Sequence, residues 1–109
     1  MSLINISESE LYPTESFGPA LEGTIIYNVQ GQAEWVGAFI TTNERLIMNV
    51  DMNGEEYKRV FSYNDIADIY TNAHGLFIEF PEGMGKLALV NVKEGDVDTF
   101  VNYVKDKIN

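Results

Sequence analysis

From Gly23 to Val92 short apolar runs alternate with turn residues, and this period-two punctuation constrains the chain to an antiparallel β-rich fold. Thr24 to Val29 (TIIYNV) places Ile25, Tyr27 and Val29 on one face of a strand. Gln30 to Ala33 reads as a turn. Glu34 to Thr41 (EWVGAFIT) is apolar almost throughout, as in a strand covered on both sides, with Gly37 marking a bend or a close backbone approach. Thr42, Asn43 and Glu44 lead into Arg45 to Val50, where Leu46, Met48 and Val50 share a side. Asn53 and Gly54 both tolerate positive φ, so they predict a hairpin whose returning strand is Tyr57 to Phe61. Ser62 to Tyr70 reads as one turn and the start of a strand, followed by a tight loop at Asn72 to Gly75. Leu76 to Phe80 and Leu87 to Val92 are two further strands around the turn Pro81 to Gly85.

The period then changes. Val97, Phe100, Val101, Val104 and Ile108 recur at helical spacing, forming one apolar stripe in which Phe100 and Val104 are core anchors. Asp96 is placed to cap this helix, Asp98 lies in its first turn and Lys105 and Lys107 in its last, in agreement with the helix dipole. No repeat recurs at a period of about twenty residues or more, which excludes solenoids and propellers. Before Leu21, Glu8, Glu10, Glu15, Pro13, Gly18 and Pro19 describe an acidic, irregular entry. Its apolar residues, Ile4, Ile6, Leu11, Tyr12 and Phe17 among them, predict partial order, with a short helical turn after Ser7. The expected division is an acidic N-terminal segment over residues 1–20 and one domain over 21–109.

A chain of 109 residues that is 45% hydrophobic has the size and apolar content of one core. It has no cysteine, which excludes disulfides, thiolate zinc sites and cysteine nucleophiles and fits a reducing compartment. Seventeen acidic against seven basic residues give a net charge of -10, a field that repels phosphates and argues against nucleic acid and membrane lipid as partners. A basic residue near an anionic membrane contributes about 1 kcal/mol and lipid patches cluster several, whereas Lys58 and Arg59 are the one adjacent pair here and follow Glu55 and Glu56. No apolar stretch approaches the roughly 20 residues of a membrane span, and Met1 to Glu10 lack signal-peptide character, so the expected location is cytoplasmic.

Two segments carry a family resemblance. Gly37 to Met48 (GAFITTNERLIM) resembles the strand-turn-strand signature of short bacterial pleckstrin-homology-like (PH-like, GRAM-like) domains, in which an apolar strand runs into Thr-Asn-x-Arg-Leu-Ile. Phe61 to Ile69 (FSYNDIADI) is similar to that family's passage from strand four to strand five. The resemblance covers Leu21 to Asn109. It implies a mainly β PH-like superfold of about seven antiparallel strands in two roughly orthogonal sheets, capped by one C-terminal amphipathic helix. It also implies a binding domain, since relatives take phosphoinositides, peptides or proteins. Lipid-binding members carry several Lys and Arg between strands one and two, where headgroup phosphates need charge-assisted hydrogen bonds, but here Asn28 to Glu34 holds no cation.

Candidate site residues follow from these placements. Arg45 is expected to fix its hairpin by pairing with a nearby carboxylate such as Asp65 or Asp68, with an anion hook as the alternative. Gly37 and Gly54 are expected to be structural. His74, the one histidine, sits among turn residues and leaves no base for a catalytic triad, so no catalytic residue is assigned. Asp51, Asn53 and Glu55 alternate like calcium ligands, but strands flank a four-residue turn, and neither a metal nor a cofactor is expected. Trp35 with Tyr27 or Tyr57, and the adjoining Gln30 and Gln32, form the candidate contact patch, with Trp35 as a lid on the core as the alternative. The expected function is a non-enzymatic adaptor for a protein or peptide, another copy of the chain included. The alternative is a membrane-surface module whose site the acidic N-terminal segment masks.

Overall fold

The alternating runs form seven antiparallel strands, β1 (Phe17–Val29), β2 (Gln32–Thr42), β3 (Arg45–Met52), β4 (Glu55–Ser62), β5 (Asp68–Asn72), β6 (Gly75–Glu79) and β7 (Lys86–Glu94), followed by helix α1 (Val97–Ile108). Short 3-10 turns occupy Glu8–Glu10, capped by Ser7, and Tyr63–Asp65, capped by Ser62. The computed structural model describes residues 4–29, 32–83 and 85–108, and side chains within these except at 27–29 and 32. Asn53 and Gly54 have φ of 56° and 92°, the left-handed pair that a two-residue hairpin needs. The Asp51 carboxylate accepts the Gly54 N–H at 2.9 Å and closes the turn.

The expected pair of orthogonal sheets does not form. The strands hydrogen-bond in the order β4-β3-β2-β1-β7-β6-β5 as one sheet. The reason lies in β1, which begins at Phe17 rather than at Thr24 and, at 13 residues, is long enough to pair with β2 on one side and β7 on the other. Register shifts between Phe17 and Ala20, between Glu22 and Thr24 and between Ile26 and Val29 let it bend without breaking either ladder. The sheet therefore curls. Phe61 on β4 and Phe80 just after β6 belong to strands far apart in the order, yet their ring centroids lie 5.1 Å apart.

One core fills the curl, from Leu21, Ile25, Phe39, Leu46, Met48 and Val50 across to Ile69, Ile78 and Leu89. Helix α1 packs against β1 and β5 and inserts Phe100, Val101 and Val104 into that core. Its first turn is held by Asp96, whose carboxylate accepts the Thr99 N–H at 3.1 Å. Gly37 sits where β2 passes closest to its neighbours: a Cβ there would lie 2.7 Å from Ile25 Cδ1 and 3.1 Å from the Asn49 carbonyl oxygen. On the outer face of β2 and β3, Ala38, Ile40 and Ile47 are also buried, packed with Ile4, Ile6 and Ala20. The N-terminal segment thus docks on its own domain, which explains why β2 is apolar on both faces. Among the described residues no helix is long and apolar enough to cross a membrane.

Candidate interaction site

The β2–β3 turn anchors the N-terminal segment. Glu15 Oε2 accepts from Arg45 Nε at 2.7 Å and Glu15 Oε1 from Arg45 Nη2 at 3.1 Å, a two-pronged ion pair with the Glu15 side chain fully buried. The Thr42 hydroxyl and the Tyr12 N–H donate to the same carboxylate at 2.5 and 2.9 Å. Arg45 Nη2 also donates to the Glu10 carbonyl at 2.8 Å, and the guanidinium lies 4.3 Å from the Tyr12 ring centroid. Asn43 joins the clamp, accepting from the Ser16 N–H at 2.6 Å and donating to the Thr14 carbonyl at 3.1 Å.

Arg45 accordingly binds neither Asp65 nor Asp68. Both of those acids are exposed, and Asp68 turns back to its neighbour's N–H, that of Ile69 at 2.8 Å. A guanidinium at 13% exposure is better served by a buried carboxylate with further donors than by a solvated one. Burial pushes the Glu15 carboxyl up, but the hydrogen bonds from Arg45, Thr42 and Tyr12 outweigh it and hold the group below its ordinary value. A carboxyl depressed on folding contributes stability above its unfolded value, about 4.3 for Glu, and that stability is lost as pH falls through the folded value. Thermal melts of the wild type and Glu15→Gln from neutral to acidic pH should show a gap that narrows on acidification. A gap of constant width would mean that the charge of Glu15 contributes nothing.

Strand β4 lies at the opposite side of the question, because it ends the sheet with β3 as its hydrogen-bonded neighbour. Seven of its eight residues are exposed and Phe61 alone is buried, and among the described residues no strand pairs along its outer edge. The other edge, β5, has five residues and carries α1 against it. Tyr57 lies opposite Val50 and Arg59 opposite Met48, both core residues, so Glu55, Tyr57, Arg59 and Phe61 continue the core-side face out to the rim. Val60 lies opposite Ile47 on the other face and is 48% exposed. Beside this rim a groove of about 430 Å³ opens between β4 and the β6–β7 connection, lined by Arg59, Phe61, Asp65, Phe80, Lys86 and Leu87. Lys58 on the outer face bridges Glu10 at 2.7 Å.

Of the expected contact residues, Tyr57 is on this surface at 39% exposure. Trp35 is not. At 5% exposure it packs into the core, paired across the ladder with the fully buried Ile25 on the face that Phe39 shares. At that exposure its indole leaves little surface for a contact patch with Tyr57. The side chains of Tyr27 and Gln32, and Gln30 as a whole, lie outside the described residues. Arg59, Val60, Phe80 and Lys86 line this surface without having been expected there from the sequence. The signal that could have found the edge is the charge order Glu55-Glu56-Tyr57-Lys58-Arg59 directly after an Asn-Gly hairpin, since alternating side chains that are polar on both faces describe a strand with little to bury.

Seven antiparallel strands, a wrapped sheet and a C-terminal helix in its mouth agree with a comparison of the sequence against protein families, in which the bacterial PH domain matches residues 22–106. The chain belongs to the bacterial PH domain family. No curated protein matches it. The family match takes in Arg45, β4 and the groove, while Glu15 and the rest of the N-terminal clamp precede it. PH domains are generally non-catalytic binding modules that commonly mediate protein or lipid interactions, and the site of this PH domain is read in those terms. His74 is exposed in the β5–β6 turn, where its N–H donates to Asn72 Oδ1 at 2.7 Å.

Proposed function

We propose that this PH domain is a non-enzymatic protein-recognition module that docks an extended segment of its partner along the edge of β4. The observation that carries the reading is the exposed eight-residue edge with one neighbouring strand. An added strand gains main-chain hydrogen bonds there, and the flanking groove with its aromatic floor of Phe61 and Phe80 supplies a place for side-chain selection. Tyr57 and Val60, half-exposed on opposite faces, offer apolar contact on both sides of such a strand.

The membrane-surface alternative has less support. Glu10 to Ser16 make their contacts at the β2–β3 turn, at the opposite end of β2 from Gln32, rather than at the end of β2 that follows the segment where lipid-binding relatives place their cations. The docking reading is tested by selecting displayed random peptides on the immobilised domain and titrating the survivors into isotopically labelled protein. Amide shifts should concentrate in Glu55 to Ser62 and around Phe80 to Leu87. Peptides that shift the β1–β2 end or the helix instead would overturn the reading, as would the recovery of no binder at all.

A further inference from the structure

The charges along β4 run Glu55, Glu56, Tyr57, Lys58, Arg59, acid-acid-aromatic-base-base, and all five side chains are exposed. Such an order is self-complementary. We propose that β4 pairs antiparallel with β4 of a second copy about a two-fold axis through Tyr57, joining the two sheets edge to edge. The inference rests on the reading of β4 as a docking edge and names its occupant.

In a two-fold contact the same patch serves both partners, so residue i faces j wherever j faces i. Centred on Tyr57, the pairing sets Glu55 opposite Arg59 of the second copy and Glu56 opposite Lys58 of the second copy, with both reciprocal pairs formed at the same time. The two Tyr57 rings meet at the axis. Cross-strand pairs of opposite charge and aromatic pairs each stabilise an antiparallel ladder. A two-fold axis perpendicular to the sheet leaves two neighbouring registers, one centred on Glu56 and one on Lys58. The first opposes two carboxylates at the axis and the second two ammonium groups, so like-charge repulsion selects the register about Tyr57.

The faces agree as well. Glu55, Tyr57 and Arg59 share the core-side face of β4, so Glu55 of the second copy arrives over Arg59, where the groove lined by Arg59 and Lys86 begins. On the other face Lys58 already bridges Glu10 at 2.7 Å, and its three donors allow a second carboxylate from the incoming Glu56. Acidic and basic residues on an edge strand normally discourage pairing. Here their order disfavours the two neighbouring registers and favours the complementary one. Two copies of net charge -10 repel at long range, and a ladder of this length buries little area, so the dimer is weak, with a dissociation constant on the order of 100 μM.

Sedimentation equilibrium of the full chain should show a monomer–dimer equilibrium in that range. Glu55→Lys/Glu56→Lys and Lys58→Glu/Arg59→Glu, each checked for a native circular dichroism spectrum, should both raise the dissociation constant at least about tenfold, since every opposed pair becomes repulsive. An equimolar mixture of the two should associate again, because the all-basic and all-acidic edges now complement each other. A wild type that stays monomeric to about 1 mM, well above the expected dissociation constant, would overturn the proposal. So would either double variant dimerising like the wild type, or a mixture that remains monomeric. Should a double variant fail to fold, Tyr57→Glu places two carboxylates on the axis and must abolish the dimer, and its persistence counts equally against the pairing. Selected peptides that bind β4 in a protein that never dimerises would remove this inference alone and leave the docking reading standing.

Discussion

Replacing Arg45 with alanine is expected to destabilise the domain by about 3 kcal/mol, because it leaves the fully buried Glu15 carboxylate without its counter-ion. For a domain of this size that corresponds to a fall in Tm of more than about 12 °C. The Thr42 hydroxyl and the Tyr12 N–H remain on the carboxylate in the variant, which keeps the loss below that of a wholly stranded charge. The double variant Arg45→Ala/Glu15→Ala should be less harmful than the sum of its parts, with a coupling of about 1–3 kcal/mol measurable by urea denaturation. Unchanged stability together with lost partner binding would instead make Arg45 a ligand hook.

Phe100→Ala should destabilise by about 3–5 kcal/mol, the range for truncating a buried aromatic. Phe100 has no exposed surface, lies 6.4 Å from the Phe39 ring by centroid and is the largest side chain that α1 commits to the core. Phe100→Leu keeps most of the volume and should cost less than about 1.5 kcal/mol. A loss under about 1 kcal/mol for the alanine variant would show that α1 seats on the sheet without this ring. The two predictions probe different attachments, since Arg45 holds the N-terminal segment to the β2–β3 turn and Phe100 holds the C-terminal helix in the core.

Legibility followed the range of the interaction. The hairpin at Asn53 and Gly54, the apolar stripe of α1 and its Asp96 cap depend on torsions and spacings within a few residues, and all were readable from the chain. The Thr-Asn-x-Arg-Leu-Ile hairpin pointed to the family that the match over residues 22–106 establishes. Trp35 was ambiguous for a physical reason: an indole is suited to an interface and to a core alike, and only the curvature of the sheet decides which one surrounds it. The salt bridge of Arg45 went to an acid 30 positions upstream rather than to the nearer Asp65, because burial and not sequence distance selects the partner.

What the amino-acid order determined by itself is the set of elements, since apolar period, turn residues and caps act locally and need no knowledge of the rest of the chain. Which strand is left at the edge, whether one sheet or two forms, and what covers the outer face of β2 were decided only when the chain closed. Those outcomes depend on how the long β1 bends to share β2 and β7, and on the N-terminal segment finding Arg45 and the Ile40–Ile47 surface. They are properties of distances between residues far apart in the chain, and no local pattern encodes them.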